Sequence, residues 1–127
     1  LRTVLGGKLH RATVTQADLD YVGSITIDAT LAAAAGFVEG EQVHVVDVNN
    51  GSRFETYTIA GIRGSGAIQV NGAAARLGPA GATVIVISYA DYSPEDLVTY
   101  EPRVVHTDRT NAIIQVDAAV AELVDAR

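Results

Sequence analysis

A glycine directly followed by serine, Gly23-Ser24, stands between β-forming residues, Tyr21-Val22 before it and Ile25-Thr26-Ile27 after it. A bare Gly-Ser step is ordinarily a turn with a surface hydroxyl. Three other groups carry side chains able to do chemistry. Lys8, His10 and Arg11 bring two cations and an imidazole; Arg53, Thr56 and Tyr57 follow the turn signal Asn49-Asn50-Gly51; Asn71-Gly72-Ala73-Ala74 offers an amide and accessible backbone. Arginine holds a carboxylate through two parallel hydrogen bonds, and lysine acts as a compact point charge. A phenol is protonated at neutral pH and can deliver a proton. An amide side chain and neighbouring backbone N–H groups suit a developing oxyanion. Taken singly, each group has a plainer reading. Lys8 and Arg53 are solvated charges, Tyr57 is a half-buried strand aromatic, and Asn71-Gly72 is a hairpin turn.

Together these residues form a pattern. Arg2-Thr3, Lys8-Leu9-His10-Arg11, Val14-Thr15, Ala17-Asp18-Leu19, Tyr21, Gly23-Ser24, Asn50-Gly51, Arg53, Thr56-Tyr57, the run from Asn71 to Ala75, and Glu101-Pro102-Arg103 resemble the pyruvoyl-dependent aspartate 1-decarboxylases. The resemblance implies self-cleavage between Gly23 and Ser24 into residues 1–23 and 24–127. The serine hydroxyl attacks the preceding carbonyl, the resulting ester is broken by β-elimination, and hydrolysis leaves a pyruvoyl group at the new N-terminus. Glycine before the serine is expected to reach the uncommon backbone geometry that attack requires.

The same resemblance implies L-aspartate as substrate and β-alanine and CO2 as products, a step of pantothenate supply. It makes Ser24 and Tyr57 the catalytic residues, with Tyr57 as proton donor. Lys8, Arg53, Thr56 and the turn Asn71-Gly72-Ala73-Ala74 bind substrate, and His10 and Tyr21 support processing. Which cation takes which carboxylate stays open. Thr56 and Tyr57 are adjacent and point to opposite sides of a regular strand. If both line one site, the strand is bent there or the site is shared between subunits. Two positions depart from the family pattern: Arg76 where histidine is common, and Ile25 where the residue after serine is usually smaller or less branched. A non-catalytic barrel binding a ligand or partner, or an enzyme acting on glutamate, are the competing readings.

Composition narrows the field. The chain has 127 residues, 48% hydrophobic and 19% charged, which suits a single globular domain. The absence of cysteine excludes disulfides and thiol chemistry. No cluster suggests a metal, and His44 and His106 receive no function. The net charge is −6, and the basic residues are scattered, unlike a nucleic-acid surface. No stretch reaches membrane-spanning length and no signal-peptide core is seen, so the expected location is cytoplasmic. The chain starts at Leu1 without any methionine, read as an initiator removed or left out. An accessory maturation protein is an open question.

The elements that would position these residues are mostly short strands. One or two are expected over Thr3–Thr15, a capped turn over Thr15–Leu19, and a strand broken at Gly23 over Tyr21–Ile27. Asp28 caps a helix over Ala29–Ala35 that ends at Gly36. Val43–Val48 and Phe54–Ile59 form a hairpin, Ala67–Val70 a short strand, and Thr83–Tyr89 a buried central strand. A helical turn starts at Ser93-Pro94. Strands follow over Glu101–His106 and Ala112–Val116, then a terminal helix over Ala118–Asp125. Many short strands and little helix imply a compact barrel. The resemblance makes it a double-psi β-barrel assembled as a homotetramer.

Overall fold

A computed structural model describes residues 1–119. The chain is mainly β. The strands are β1 (Arg2–Thr13), β2 (Gln16–Asp18), β3 (Ser24–Asp28), β4 (Gln42–Asp47), β5 (Arg53–Gly61), β6 (Ile68–Asn71), β7 (Thr83–Tyr92), β8 (Arg103–Thr107) and β9 (Ile113–Asp117). The helices are α1 (Ala29–Ala35), a 3-10 turn over Gly72–Arg76, and α2 (Pro94–Leu97). Among the described residues the strands follow the order β2-β6-β3-β5-β4-β7-β1-β8-β9. The wall closes because β1 runs straight on into β2, carrying the chain from the β7/β8 side to β6. This matches the double-psi β-barrel.

Alternation builds the core. On β4, Val43 and Val45 point inward, and on β7 so do Val84 and Val86; they meet Leu9, Ile25, Ile27, Ile68, Val70 and Val105. Burying each such side chain contributes roughly 1.5–3 kcal/mol. β7 therefore differs from the fully buried strand expected of its apolar run. Its burial alternates, and Ile85, Ile87 and Tyr89 face outward. A run of β-branched residues has the same composition whether one face is covered or both.

Helix α1 follows its sequence signals. Asp28 accepts from the Thr30 N–H at 2.8 Å, and Gly36 closes the helix at φ 77°. Such a cap contributes about 1 kcal/mol. Leu31 and Ala35 form the buried stripe. The helix end sits so close to β1 that a Cβ on Gly7 would come 2.0 Å from the Ala35 carbonyl oxygen, so only glycine allows this packing.

Several expectations are corrected. Of the one or two strands expected over Thr3–Thr15, one forms, Arg2–Thr13; the glycines do not interrupt it but coincide with an irregularity between Leu5 and Gly7, and a second lies between Leu9 and Ala12. The expected capped turn is the short strand β2, paired in parallel with β6. Tertiary pairing overrides the local turn signal. Ala118 and Ala119 are not helical, and the rest of the expected terminal helix lies outside the described residues. No helix among the described residues is long and apolar enough to cross a membrane.

Candidate active site

Ser24 opens β3 and is fully buried, while Gly23 before it is exposed. The Ser24 hydroxyl donates to the Val22 carbonyl oxygen at 3.1 Å. It also accepts from Asn71 Nδ2 at 2.9 Å. The antiparallel register of β3 and β6 makes this contact, pairing Ser24 with Asn71 and Thr26 with Gln69. Asn71 Nδ2 also donates to Thr26 Oγ1 at 3.1 Å, and Asn71 Oδ1 accepts from Gln69 Nε2 at 2.7 Å. A buried amide satisfied at every position is held rigidly.

Asn71 stands at the N-cap of the 3-10 turn but makes no side-chain cap bond. Its Oδ1, the atom that could accept from them, is already engaged by Gln69, so Asn71 leaves the N–H groups of the first turn, in Gly72-Ala73-Ala74, without a side-chain cap.

Gly72 is buried at φ 72° and touches the serine loop. The freedom expected of Gly23 is found here instead. Gly23 is not in the left-handed region, and a Cβ there would meet open space. The loop before the serine can be ordinary backbone because the partner turn yields the room. Tyr21 is half exposed in this loop, with its carbonyl oxygen also against Gly72.

Strand β5 lines the other side of β3. Ile25 pairs with Thr58 in a parallel ladder, which sets Ser24 beside Tyr57, one step earlier on each strand. Tyr57 is 40% exposed. Arg53, four residues upstream on the same face, is exposed too. The turn bearing Arg53 is fixed by Asp47, whose Oδ1 accepts from the N–H groups of Asn49 and Asn50 at 2.8 and 3.3 Å. Thr56 faces the other side, opposite Val43, and the β4–β5 register runs without a shift from Tyr57 to Arg53. The strand is regular, so the bend that would bring Thr56 and Tyr57 to one face is absent.

Lys8 and His10 lie on β1, with β5, β4 and β7 between them and β3. Four inter-strand steps amount to about 19 Å around the wall. The pairings Lys8–Ile87, His44–Ile87 and His44–Glu55 put Lys8 on the same outward face as Glu55, Arg53 and Tyr57. Neither Lys8 nor Arg53 forms an ion pair among the described residues. His10 is buried and packs edge-on against His106 at 5.6 Å, away from Ser24 along the sheet. A single chain therefore gathers Ser24, Gly23, Asn71, Gly72 and Tyr57, and sets Lys8 and His10 apart.

Beside this face, His44 Nε2 meets Glu55 at 2.9 Å and Gln42 donates to the same carboxylate at 2.9 Å. The His44 hydrogen bond first, then its charge and Gln42, hold the Glu55 carboxyl below its ordinary range. Thr26, Gln69 and the Val22 carbonyl were not singled out by sequence reasoning. The spacing of Ser24 to Thr26 and of Gln69 to Asn71 is the signal for a shared face, but only the register brings the two faces together.

Comparison with known proteins agrees with this geometry. The family model described as aspartate decarboxylase matches residues 1–114. An aspartate 1-decarboxylase of Corynebacterium efficiens is 58% identical over 114 residues, covering 90% of this chain and 84% of the relative. An aspartate 1-decarboxylase of Neisseria meningitidis is 57% identical over 112 residues, covering 88% of each. With its barrel, its serine at the mouth of β3 and this degree of identity, the chain belongs to the aspartate decarboxylase family.

Proposed function

We propose that this protein is an aspartate 1-decarboxylase that converts L-aspartate to β-alanine and CO2, using a pyruvoyl group it makes from Ser24. The names of both relatives support the substrate and the reaction. The observation that carries the cleavage reading is the buried Ser24 hydroxyl, held between Val22 and Asn71 beside an exposed glycine. A turn serine with no task would be solvated.

Cleavage is an internal rearrangement followed by loss of ammonia. Ser24 Oγ attacks the Gly23 carbonyl carbon, and the peptide C–N bond breaks to leave an ester and a free amine. Removal of the Ser24 α-proton expels the Gly23 carboxylate and leaves a dehydroalanine. Water adds, ammonia departs, and a ketone remains. The uncapped N–H groups of the Gly72-Ala73-Ala74 turn are suited to the oxyanion of the first step. The residues fit the group: Ser24 supplies its atoms, and Gly72 leaves the adjoining chain uncrowded.

The pyruvoyl ketone supplies an electron sink, comparable in role to pyridoxal phosphate. The remaining tasks fall to side chains. Lys8 and Arg53 hold the two carboxylates, and Tyr57, beside Ser24, protonates the carbon that loses CO2. Thr56, turned away from Tyr57 on its own strand, and Lys8, four strands from Ser24, suit a site assembled from more than one copy. A homotetramer supplies such a site. Turnover of aspartate against glutamate tests the reading. β-Alanine formation with little reaction of glutamate is expected, and no product from aspartate would overturn it.

A further inference from the structure

The Asn71 carboxamide can be set in two ways, and its partners are used differently in each. An amide is nearly symmetric in shape, so only its hydrogen-bond partners decide where oxygen and nitrogen lie. In the observed setting, Nδ2 faces the hydroxyls of Ser24 and Thr26 while Oδ1 faces Gln69. Ser24 then accepts from Asn71, keeps its own proton for the Val22 carbonyl, and retains one lone pair. In the reversed setting Oδ1 faces Ser24. The hydroxyl turns its proton to that oxygen and releases Val22. The two settings thus aim the Ser24 oxygen differently.

Gln69 is the one partner of the Asn71 amide that is not a hydroxyl. It sits opposite Thr26 in the ladder, on the same face as Asn71 two residues on, and its Nε2 donates to Asn71 Oδ1 at 2.7 Å. We infer that Gln69 is a positioning residue for chain cleavage: by donating to Asn71 it directs the Asn71 N–H groups at Ser24. This rests on the cleavage reading above.

Two substitutions of similar length separate the settings. Gln69→Glu at neutral pH only accepts, so it draws Asn71 Nδ2 toward itself and leaves Oδ1 on Ser24. Gln69→Lys only donates, and preserves the observed setting. In uncleaved, freshly purified chain followed by denaturing mass spectrometry, the lysine variant should cleave within about threefold of the unsubstituted rate. The glutamate variant should be slower by at least about tenfold, equivalent to about 1.4 kcal/mol on the barrier. Equal slowing of both variants indicates support of the fold alone and overturns the inference, as does a glutamate variant cleaving at full rate. Proton NMR supplies a readout independent of cleavage. The Asn71 side-chain N–H protons should show contacts to the Thr26 side chain, whose Oγ1 they face, in the unsubstituted and lysine chains, and these should weaken in the glutamate chain. An unsubstituted chain that never cleaves would defeat the cleavage reading, while these contacts alone would still decide whether Gln69 sets the amide.

Discussion

Gly72 lies so close to Gly23 that a Cβ on residue 72 would stand 2.7 Å from the Gly23 Cα and 3.0 Å from its nitrogen. The turn after β6 is thereby pressed on the residue that precedes the bond proposed to break. Gly72→Ala meets two obstacles at once, the collision and a φ of 72°. The variant should lose roughly 1–3 kcal/mol of stability and cleave at least about a hundredfold more slowly. Urea unfolding and a cleavage time course measure the two effects. Cleavage at the unsubstituted rate would show that the contact is incidental.

Tyr57→Phe keeps the ring on β5 and deletes its proton. Maturation should proceed, and decarboxylation should fall by about 10²–10⁴-fold, the range for a lost general acid. Turnover measured on fully cleaved protein isolates this effect. Full turnover would leave water or another group as the proton source.

A shared site predicts complementation. Ser24→Ala removes the attacking oxygen, and Lys8→Ala removes a cation that its own protomer sets four strands from Ser24. Each variant alone should be inactive or nearly so. Co-expressed and randomly mixed, they should regain about a quarter of full activity, the fraction of sites that draw Ser24 from one parent and Lys8 from the other. No recovery in a mixed oligomer of verified composition would place both residues in one copy.

Asp28 joins the start of α1 to the loop after β5. Its carboxylate accepts from Thr30 at 2.8 Å, Gly64 at 3.0 Å and Gly66 at 2.8 Å. Burial pushes its pKa up, but these N–H donations, Gly66 and Gly64 foremost, outweigh that and hold it below the usual value. The unfolded chain therefore takes up this proton first as pH falls. The stabilisation is complete above about pH 4 and is lost as pH drops through the depressed folded value. Asp28→Asn should cost about 1–3 kcal/mol at pH 7, with the gap to the unsubstituted chain narrowing below about pH 4. A gap independent of pH would mean that the carboxylate charge is immaterial.

Local chemistry was legible in the sequence where a single residue decides it. Asp28 and Gly36 bound α1 as their types require, and Asn49-Asn50-Gly51 turns the β4–β5 hairpin. Residues whose structure depends on a distant partner were not. β2 forms because β6 lies beside it, and β7 alternates in burial because only one of its faces lies on the core. The site divides along the same line. Gly23-Ser24 and Tyr57 were readable as types, whereas the aim of Asn71 at Ser24 and the support from Gln69 exist only in the register of β3 on β6. The uncommon backbone geometry expected at Gly23 appears at Gly72, because a close approach has two sides and sequence does not say which one yields.

Self-cleavage at Gly23–Ser24 is read straight from the mass of the purified protein under denaturing conditions. Two fragments are expected, residues up to Gly23 ending in a free carboxylate and a remainder beginning with a pyruvoyl group in place of Ser24. The Ser24→Ala chain should stay whole. A folded, unsubstituted chain that remains intact after prolonged incubation and still decarboxylates aspartate would contradict it.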